Sequence, residues 1–186
     1  MKKIICIYGG PGIGKTTTMA GVFYELKMAG LNGEMNPEYI KNWVWEDRPI
    51  KPGDQSYFFA KMSRKERIGM EKNLNFIVTD SPLILTHFYG LKYDKFEQLS
   101  NTSLNMLKNH HEICKNYGYT VDHYVLTRKK EYNPAGRFQD EDTAKRYDKE
   151  IEQMLIDKNI KYTKIEAEDG RDRAVVQQIV SNYIKE

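Results

Sequence analysis

A glycine-rich segment near the start of the chain has the residue types of a phosphate-binding loop. Gly9–Thr16 reads GGPGIGKT and fits the P-loop pattern G-x-x-x-x-G-K-[ST]. Glycines let the backbone curl with its N–H groups pointing inward, and the helix that follows adds the positive end of its dipole. Lys15 is expected to reach the β- and γ-phosphates, and the Thr16 hydroxyl to ligate Mg²⁺. The predicted nucleotide contacts are Gly10, Gly12, Ile13, Gly14, Lys15, Thr16 and Thr17.

Two acids follow predicted strands and are candidates for catalysis. Asp80 ends the apolar run Phe76-Ile77-Val78, where a Walker-B acid belongs, and it is the second predicted Mg²⁺ ligand. Glu38 follows a short strand predicted at 33–36, and a carboxylate there can take the proton of an acceptor hydroxyl that attacks the γ-phosphate. Asp80 is the competing candidate for this base, and the residues alone leave the choice open.

Arg137 lies in a charged segment before an acidic helix. It is the candidate for stabilising the negative charge of the phosphoryl group during transfer. Phosphoryl transfer spreads negative charge over the γ-phosphate oxygens, and an arginine delivered by a closing lid stabilises that charge. We therefore predict a small lid at about 128–146, with Arg137 as its catalytic residue and Arg128 or Arg146 as alternatives. The opposing interpretation is a solvated basic loop that pairs with the acids after it.

Aromatic and basic residues surround the second and third predicted strands. Six aromatic residues could stack on a planar acceptor ring, although core packing is the alternative for each of them: Tyr39, Trp43, Trp45, Tyr57, Phe58 and Phe59. Arg64, Lys65 and Arg67 are expected to form a solvated helix face, with an acceptor phosphate as the alternative partner. Of His110 and His111 we expect one to pack and one to be exposed, without a metal site.

The apolar pattern alternates between strands and helices along the whole chain. Strands are predicted at 4–8, 33–36, 74–80, 119–127 and 162–165. Helices are predicted from Lys15 to about Ala29, from Pro37 through Val44, and at 54–71, 83–90 and 94–117, with two more from Asp140 and around Val176. This order predicts an α/β fold, a three-layer α/β/α P-loop fold with a five-stranded parallel sheet. Ligands bind beyond the C-terminal strand ends of such sheets, so the segments described above should converge there.

The composition is that of one globular domain spanning residues 1–186. The chain is 40% hydrophobic and 30% charged, and its net charge of +3 does not indicate a nucleic-acid binder. Cys6 and Cys114 are too few and too far apart for a disulfide framework or a zinc site. The apolar run near the N-terminus is too short for a signal peptide or a membrane span, so we expect a cytoplasmic protein without a membrane partner.

Four segments together resemble the NadR/Ttd14-like P-loop kinase domains, which include the ribosylnicotinamide kinase domain of a bacterial regulator of NAD biosynthesis. They are GGPGIGKTTT at 9–18, NPEYIKNW at 36–43, FIVTDSP at 76–82 and YNPAGRFQDEDTAKRYDKEIEQML at 132–155. Nucleoside and nucleoside-monophosphate kinases are similar more distantly. The resemblance implies that Glu38 is the acceptor-site carboxylate, Asp80 the acid of the third strand and Arg137 the lid arginine. The chain departs from the pattern of these relatives at Lys41, Ala135 and Ser81-Pro82. These departures concern the identity of the phosphate acceptor rather than that of the phosphate donor.

The residues and the resemblance favour an ATP- and Mg²⁺-dependent transfer of the γ-phosphate to a small nucleoside or nucleotide. One alternative is a kinase of terminal or modified-base hydroxyls in DNA or RNA, which predicts a basic groove and steep salt dependence. Another is a non-kinase NTPase that drives a partner protein. A guanine-reading N-K-x-D element is absent, and Thr127-Arg128-Lys129-Lys130 stands near where one is expected, so ATP is preferred to GTP.

Overall fold

A computed structural model describes residues 1–93, 97–128, 139–166 and 172–185. Arg137 and most of the predicted lid lie outside these described residues. Within them the chain forms five strands and seven helices. These are β1 (Lys2–Tyr8), α1 (Lys15–Met28), β2 (Gly33–Asn36), α2 (Lys41–Trp45), α3 (Asp54–Glu71), β3 (Phe76–Thr79), α4 (Ile84–Tyr93), α5 (Glu97–Asn116), β4 (Tyr119–Leu126), α6 (Glu141–Asp157), β5 (Thr163–Ile165) and α7 (Asp172–Lys185).

The five strands form one parallel sheet with the order β2-β3-β1-β4-β5. Side chains of a strand alternate between the two faces, and β1 shows this directly. Ile4, Cys6 and Tyr8 belong to a core that includes residues of α3, α4, α5 and α6. Ile5 and Ile7 belong to the core on the other face, which α1 and α7 cover. The predicted three-layer α/β/α fold with a five-stranded parallel sheet is therefore confirmed.

The site is positioned by the C-terminal ends of β1, β2 and β3, which are neighbours in the sheet. Cys6 of β1 and Asn36 of β2 are both in register with Thr79 of β3. The segments that follow these strands therefore begin at one edge, and they contain the P-loop, Glu38 and Asp80. The arrangement follows from the parallel pairing, because all strands then end at the same side of the sheet.

Some predicted element bounds differ from those of the structure. The helix expected from Pro37 begins only at Lys41, and its first turn is closed by the backbone N–H groups of Trp43 and Val44, which donate to the Ile40 carbonyl. The helix expected at 83–90 continues through Gly90 to Tyr93, and the long helix that follows is described from Glu97, so its predicted start at Asp94 lies outside the described residues. None of the described helices is long and apolar enough to cross a membrane.

Candidate functional site: the P-loop and its neighbouring cavity

Three glycines give the P-loop its shape. Gly9, Gly12 and Gly14 have φ angles of 143°, 78° and 106°, a region that residues with a side chain rarely adopt. Gly14 is the N-cap of α1, so the N–H groups of the first helical turn lack carbonyl partners within the helix. Ile13 is buried and packs beside Gly9, where an added Cβ would lie 2.8 Å from the Ile13 side chain. The loop therefore presents donor groups toward an anion while Ile13 anchors it to the core.

Lys15 folds back over the loop that precedes it. Its Nζ donates to the carbonyl oxygens of Gly9 at 2.8 Å and Gly10 at 3.1 Å. These contacts hold the ammonium group at the mouth of the P-loop. A phosphate group bound in the loop would compete with these two carbonyls for the same ammonium group.

Asp80 connects three segments of the site. Its side chain is buried, with 2% of its surface exposed. The Thr16 hydroxyl donates to Asp80 Oδ2 at 2.6 Å, and the Glu38 backbone N–H donates to Asp80 Oδ1 at 2.8 Å. The structure thus brings together Thr16, Glu38 and Asp80, which the sequence placed after three different strands.

A cavity of about 300 Å³ lies against the P-loop. One wall is the loop and the start of α1, from Pro11 to Thr17. The facing wall is mostly apolar and aromatic, with Glu38 and Lys41 at its border. It contains Tyr39, Ile40, Val44, Ile50, Gln55, Phe58, Met62, Leu85, Tyr89 and Tyr93. A site of this size and lining is typical of those that hold a small organic ligand.

The six aromatic residues predicted for an acceptor pocket have different positions. Tyr39 and Phe58 line the cavity, and Trp43 packs edge-on against Phe58 with ring centroids 4.8 Å apart. Phe59 is part of the core, whereas Trp45 and Tyr57 are exposed. The core-packing alternative is therefore correct for Phe59, and Trp43 lies behind the cavity wall rather than in it.

Helix α4 contributes to the cavity, a role that its sequence did not indicate. Leu85, Thr86, Tyr89 and Tyr93 line it, and Gln139 lies beside them with its amide donating to the Tyr93 hydroxyl at 2.7 Å. Burial raises the pKa of the Tyr89 phenol well above its ordinary value, so this hydroxyl stays protonated. The apolar character of α4 on all sides was the available signal that it is enclosed by neighbouring elements.

Arg128 and Asp148 form a buttress behind the P-loop. Arg128 Nε donates to Asp148 Oδ2 at 2.6 Å, and its Nη2 donates to the Pro11 carbonyl at 2.8 Å. The second oxygen of Asp148 accepts the backbone N–H of Gly10 at 2.6 Å. Arg128, one of the two alternative lid arginines, therefore holds α6 against the loop. The other, Arg146, is exposed, and its Nε lies 3.8 Å from Glu150 Oε1. Neither lines the cavity.

A buried polar network supports the end of β2. The Asn36 amide donates to the Met62 carbonyl at 3.1 Å and to Glu66 Oε1 at 3.2 Å. The other oxygen of Glu66 lies 2.8 Å from His110 Nε2, and His110 Nδ1 lies 3.1 Å from the Ser63 hydroxyl. His110 is the packed member of the predicted histidine pair. Sequence analysis missed Glu66, because it stands among the basic residues of an apparently solvated helix face.

Across the described ranges, no group of three or more His, Cys, Asp or Glu residues could hold a metal ion. Thr16 and Asp80 place two side-chain oxygens 2.6 Å apart beside the loop.

The family model AAA_28, described as an AAA domain, matches residues 4–173, which is most of the chain. The chain belongs to the AAA_28 family. A search of curated proteins found no match to this AAA_28 chain.

Solved structures similar to this AAA_28 protein include two of NadR. One, in complex with NR, has 15% sequence identity and a TM-score of 0.67, with 100% of this chain and 52% of that chain covered. The other, in complex with NAD and AMP-PNP, has 16% identity and a TM-score of 0.60, with 100% and 50% covered. This chain thus spans about half the length of those NadR chains. A tunicamycin resistance protein of Deinococcus radiodurans has 16% identity and a TM-score of 0.53, with 98% and 95% covered. The resemblance to NadR-like domains is confirmed for the fold.

Proposed function

We propose that this AAA_28 protein is a kinase that transfers the γ-phosphate of ATP, with Mg²⁺, to a small nucleoside or nucleotide. The observation that carries the proposal is the cavity of about 300 Å³ shared by the P-loop and an aromatic wall, with Glu38 at their border. Such a cavity can hold an organic acceptor in line with a bound triphosphate, whereas hydrolysis needs room only for water. ATP and small nucleotides are abundant in the cytoplasm, and a cytoplasmic location is part of the proposal.

Thr16 and Asp80 fit a Mg²⁺ site. Mg²⁺ prefers hard oxygen ligands, binds to few protein groups and takes the rest of its shell from water and phosphates. The Thr16 hydroxyl and the Asp80 carboxylate supply two such oxygens 2.6 Å apart, beside the N-terminus of α1. A Mg²⁺ ion held there would neutralise part of the charge on the phosphates.

The residues around the cavity can each take a role in transfer. Lys15 would exchange the carbonyls of Gly9 and Gly10 for the β- and γ-phosphates. As the acceptor oxygen bonds to the γ-phosphorus, the bond from that phosphorus to the bridging oxygen breaks, ADP leaves, and the hydroxyl proton passes to a base. We assign the base to Glu38, because Glu38 lines the aromatic cavity whereas Asp80 does not. Arg137, outside the described residues, remains the predicted lid arginine.

The ligands of the similar structures guide the choice of acceptors to assay. One NadR structure contains NR, and another contains NAD and AMP-PNP. At 15% and 16% identity these likenesses concern the fold, so for this chain the ligands serve as a guide to the assay.

The proposal is tested by incubating the protein with Mg²⁺, γ-labelled ATP and a panel of nucleosides, mononucleotides and oligonucleotides. We expect label in a nucleoside or mononucleotide. Label in oligonucleotides alone, or only in free phosphate, would refute the proposal.

Two substitutions test the assigned roles. Lys15→Ala should lower transfer by at least about 100-fold, because it removes a cation that stabilises developing charge. Glu38→Gln should lower kcat by about 100-fold or more while the affinity for ATP changes little. Glu34→Gln is the matched control, since Glu34 is an exposed acid on β2, the strand that precedes Glu38. Transfer rates and ATP affinity are measured for all three, and full turnover by Glu38→Gln would show that Glu38 is not the base.

A further inference from the structure

A second cavity of about 270 Å³ opens beside the first, and more charged residues line it. The two cavities share Thr16, Glu38, Tyr39, Lys41 and Met62 in their linings. They therefore adjoin at the segment that carries Glu38. The first cavity has the aromatic wall, whereas the second is lined by the carboxylates of Glu38 and Asp80 and by three lysines: Lys41, Lys61 and Lys65.

The three lysines come from two elements that meet at this cavity. Lys41 is the first residue of α2, and Lys61 and Lys65 are one turn apart on α3. Lys61 Nζ lies 5.3 Å from the centre of the Tyr57 ring and 6.0 Å from that of Tyr39, so the ammonium group is held on the cavity side of α3. Like charges four residues apart on a helix repel each other. A ligand with negative charge would remove this repulsion.

Two other cations on the neighbouring helices have acidic partners. Arg67 on the same helix pairs with Glu71, and Lys145 on α6 pairs with Glu141. In the described part of the chain, none of the three lysines at the second cavity forms an ion pair with an Asp or Glu side chain. Their positive charge therefore faces a concave surface that borders the base assigned above.

We propose that the acceptor carries a phosphate group of its own, bound by Lys41, Lys61 and Lys65, in addition to the hydroxyl that receives the γ-phosphate. This inference rests on the proposed function and names its substrate class, a nucleotide rather than a neutral nucleoside. The ring of the acceptor occupies the aromatic cavity, its reacting hydroxyl lies at Glu38, and its phosphate lies on the lysine side. A nucleoside lacks the group that these charge-assisted hydrogen bonds require.

Binding is measured by calorimetry in the presence of Mg²⁺ and saturating AMP-PNP. The ligands are nucleosides and their 3′- and 5′-monophosphates. We expect at least one monophosphate to bind 10-fold or more tightly than its nucleoside, and the double variant Lys61→Ala/Lys65→Ala to remove that advantage. Arg64→Ala is the matched control, because it removes one cation from α3 but borders neither cavity. Equal binding of nucleoside and both monophosphates, or an unchanged preference in the double variant, would overturn the inference.

Transfer from labelled ATP to the same ligands separates this inference from the proposed function. Efficient transfer to nucleosides that the lysine substitutions leave unchanged would overturn the phosphate site and keep the kinase. Lysine-dependent binding of a monophosphate without any transfer would keep the site and refute the kinase. Lysine-dependent binding of oligonucleotides alone would overturn the inference, because the phosphate would then belong to a strand.

Discussion

The buried pair of Glu66 and His110 should make the stability of this protein depend on pH near neutrality. Glu66 and His110 are 2% and 4% exposed, and their facing atoms Oε2 and Nε2 lie 2.8 Å apart. Burial alone lowers the pKa of His110, but hydrogen bonds to Cys114 and Glu66 and the charge of Glu66 outweigh it and raise the pKa from 6.5 to about 9. The folded protein therefore binds this proton more tightly than the unfolded chain does.

The size of the effect follows from these two pKa values. A group with a raised folded pKa stabilises the fold fully below its unfolded pKa, here 6.5, and this contribution is lost as the pH rises through the folded pKa of about 9. The difference between the two values, at about 1.4 kcal/mol for each pH unit, corresponds to about 3 kcal/mol at pH 6. About 1 kcal/mol of that contribution remains at pH 8.

The test compares the wild type with His110→Gln by urea unfolding at pH 6 and pH 8. The free energy of unfolding of the wild type minus that of the variant should fall by about 2 kcal/mol between these pH values. His111→Gln is the matched control on the same helix. Burial, with a contribution from the charge of His110, lowers the pKa of His111, so the corresponding difference for this variant should not fall. Other titrating groups, such as His123, are common to the proteins compared and cancel.

A difference for His110→Gln that stays constant or rises from pH 6 to pH 8 would refute the reasoning. Glu66→Gln provides a second check, because it removes the charge that holds the proton on His110 while keeping a side chain of similar size. The free energy of unfolding of Glu66→Gln should therefore change less between pH 6 and pH 8 than that of the wild type. If it persists, another group is its source.

Two further predictions concern the contact between α6 and the P-loop. Asp148→Ala leaves the nearly buried Arg128 guanidinium and the Gly10 N–H without their shared acceptor, and should lower the free energy of unfolding by about 3 kcal/mol. Glu112→Ala, which breaks an exposed pair with Lys115, should have a much smaller effect in the same urea titration. Gly10→Ala would place its Cβ 2.5 Å from the Ala144 carbonyl oxygen, and should lower stability by about 2 kcal/mol and weaken ATP binding. Calorimetric ATP affinity equal to that of the wild type would contradict this last expectation.

The local pattern of the chain was sufficient for most of the secondary structure. The helix predicted at 54–71 has the same bounds in α3, because Gly53 precedes it with a φ of 91° and the apolar residues repeat at helical spacing. Asp140 is the N-cap of α6 and accepts the Thr143 N–H at 2.8 Å, as its residue type suggests. The helix predicted from Pro37 begins instead at Lys41, and the Glu38 backbone N–H before it donates to Asp80, 42 residues away.

By itself the sequence determined the P-loop, the parallel sheet and the acids at the ends of two strands. These depend on short patterns of glycines and apolar residues, and parallel pairing then brings the strand ends to one edge. Only the tertiary structure decided which distant groups complete the site. Four features of the site join residues that are far apart in the chain. They are the Asp148 contact with Gly10, the Glu66 contact with His110, the cavity wall from α4, and the position of Lys41 beside α3. Such contacts depend on how the helices pack on the sheet, which no local pattern encodes.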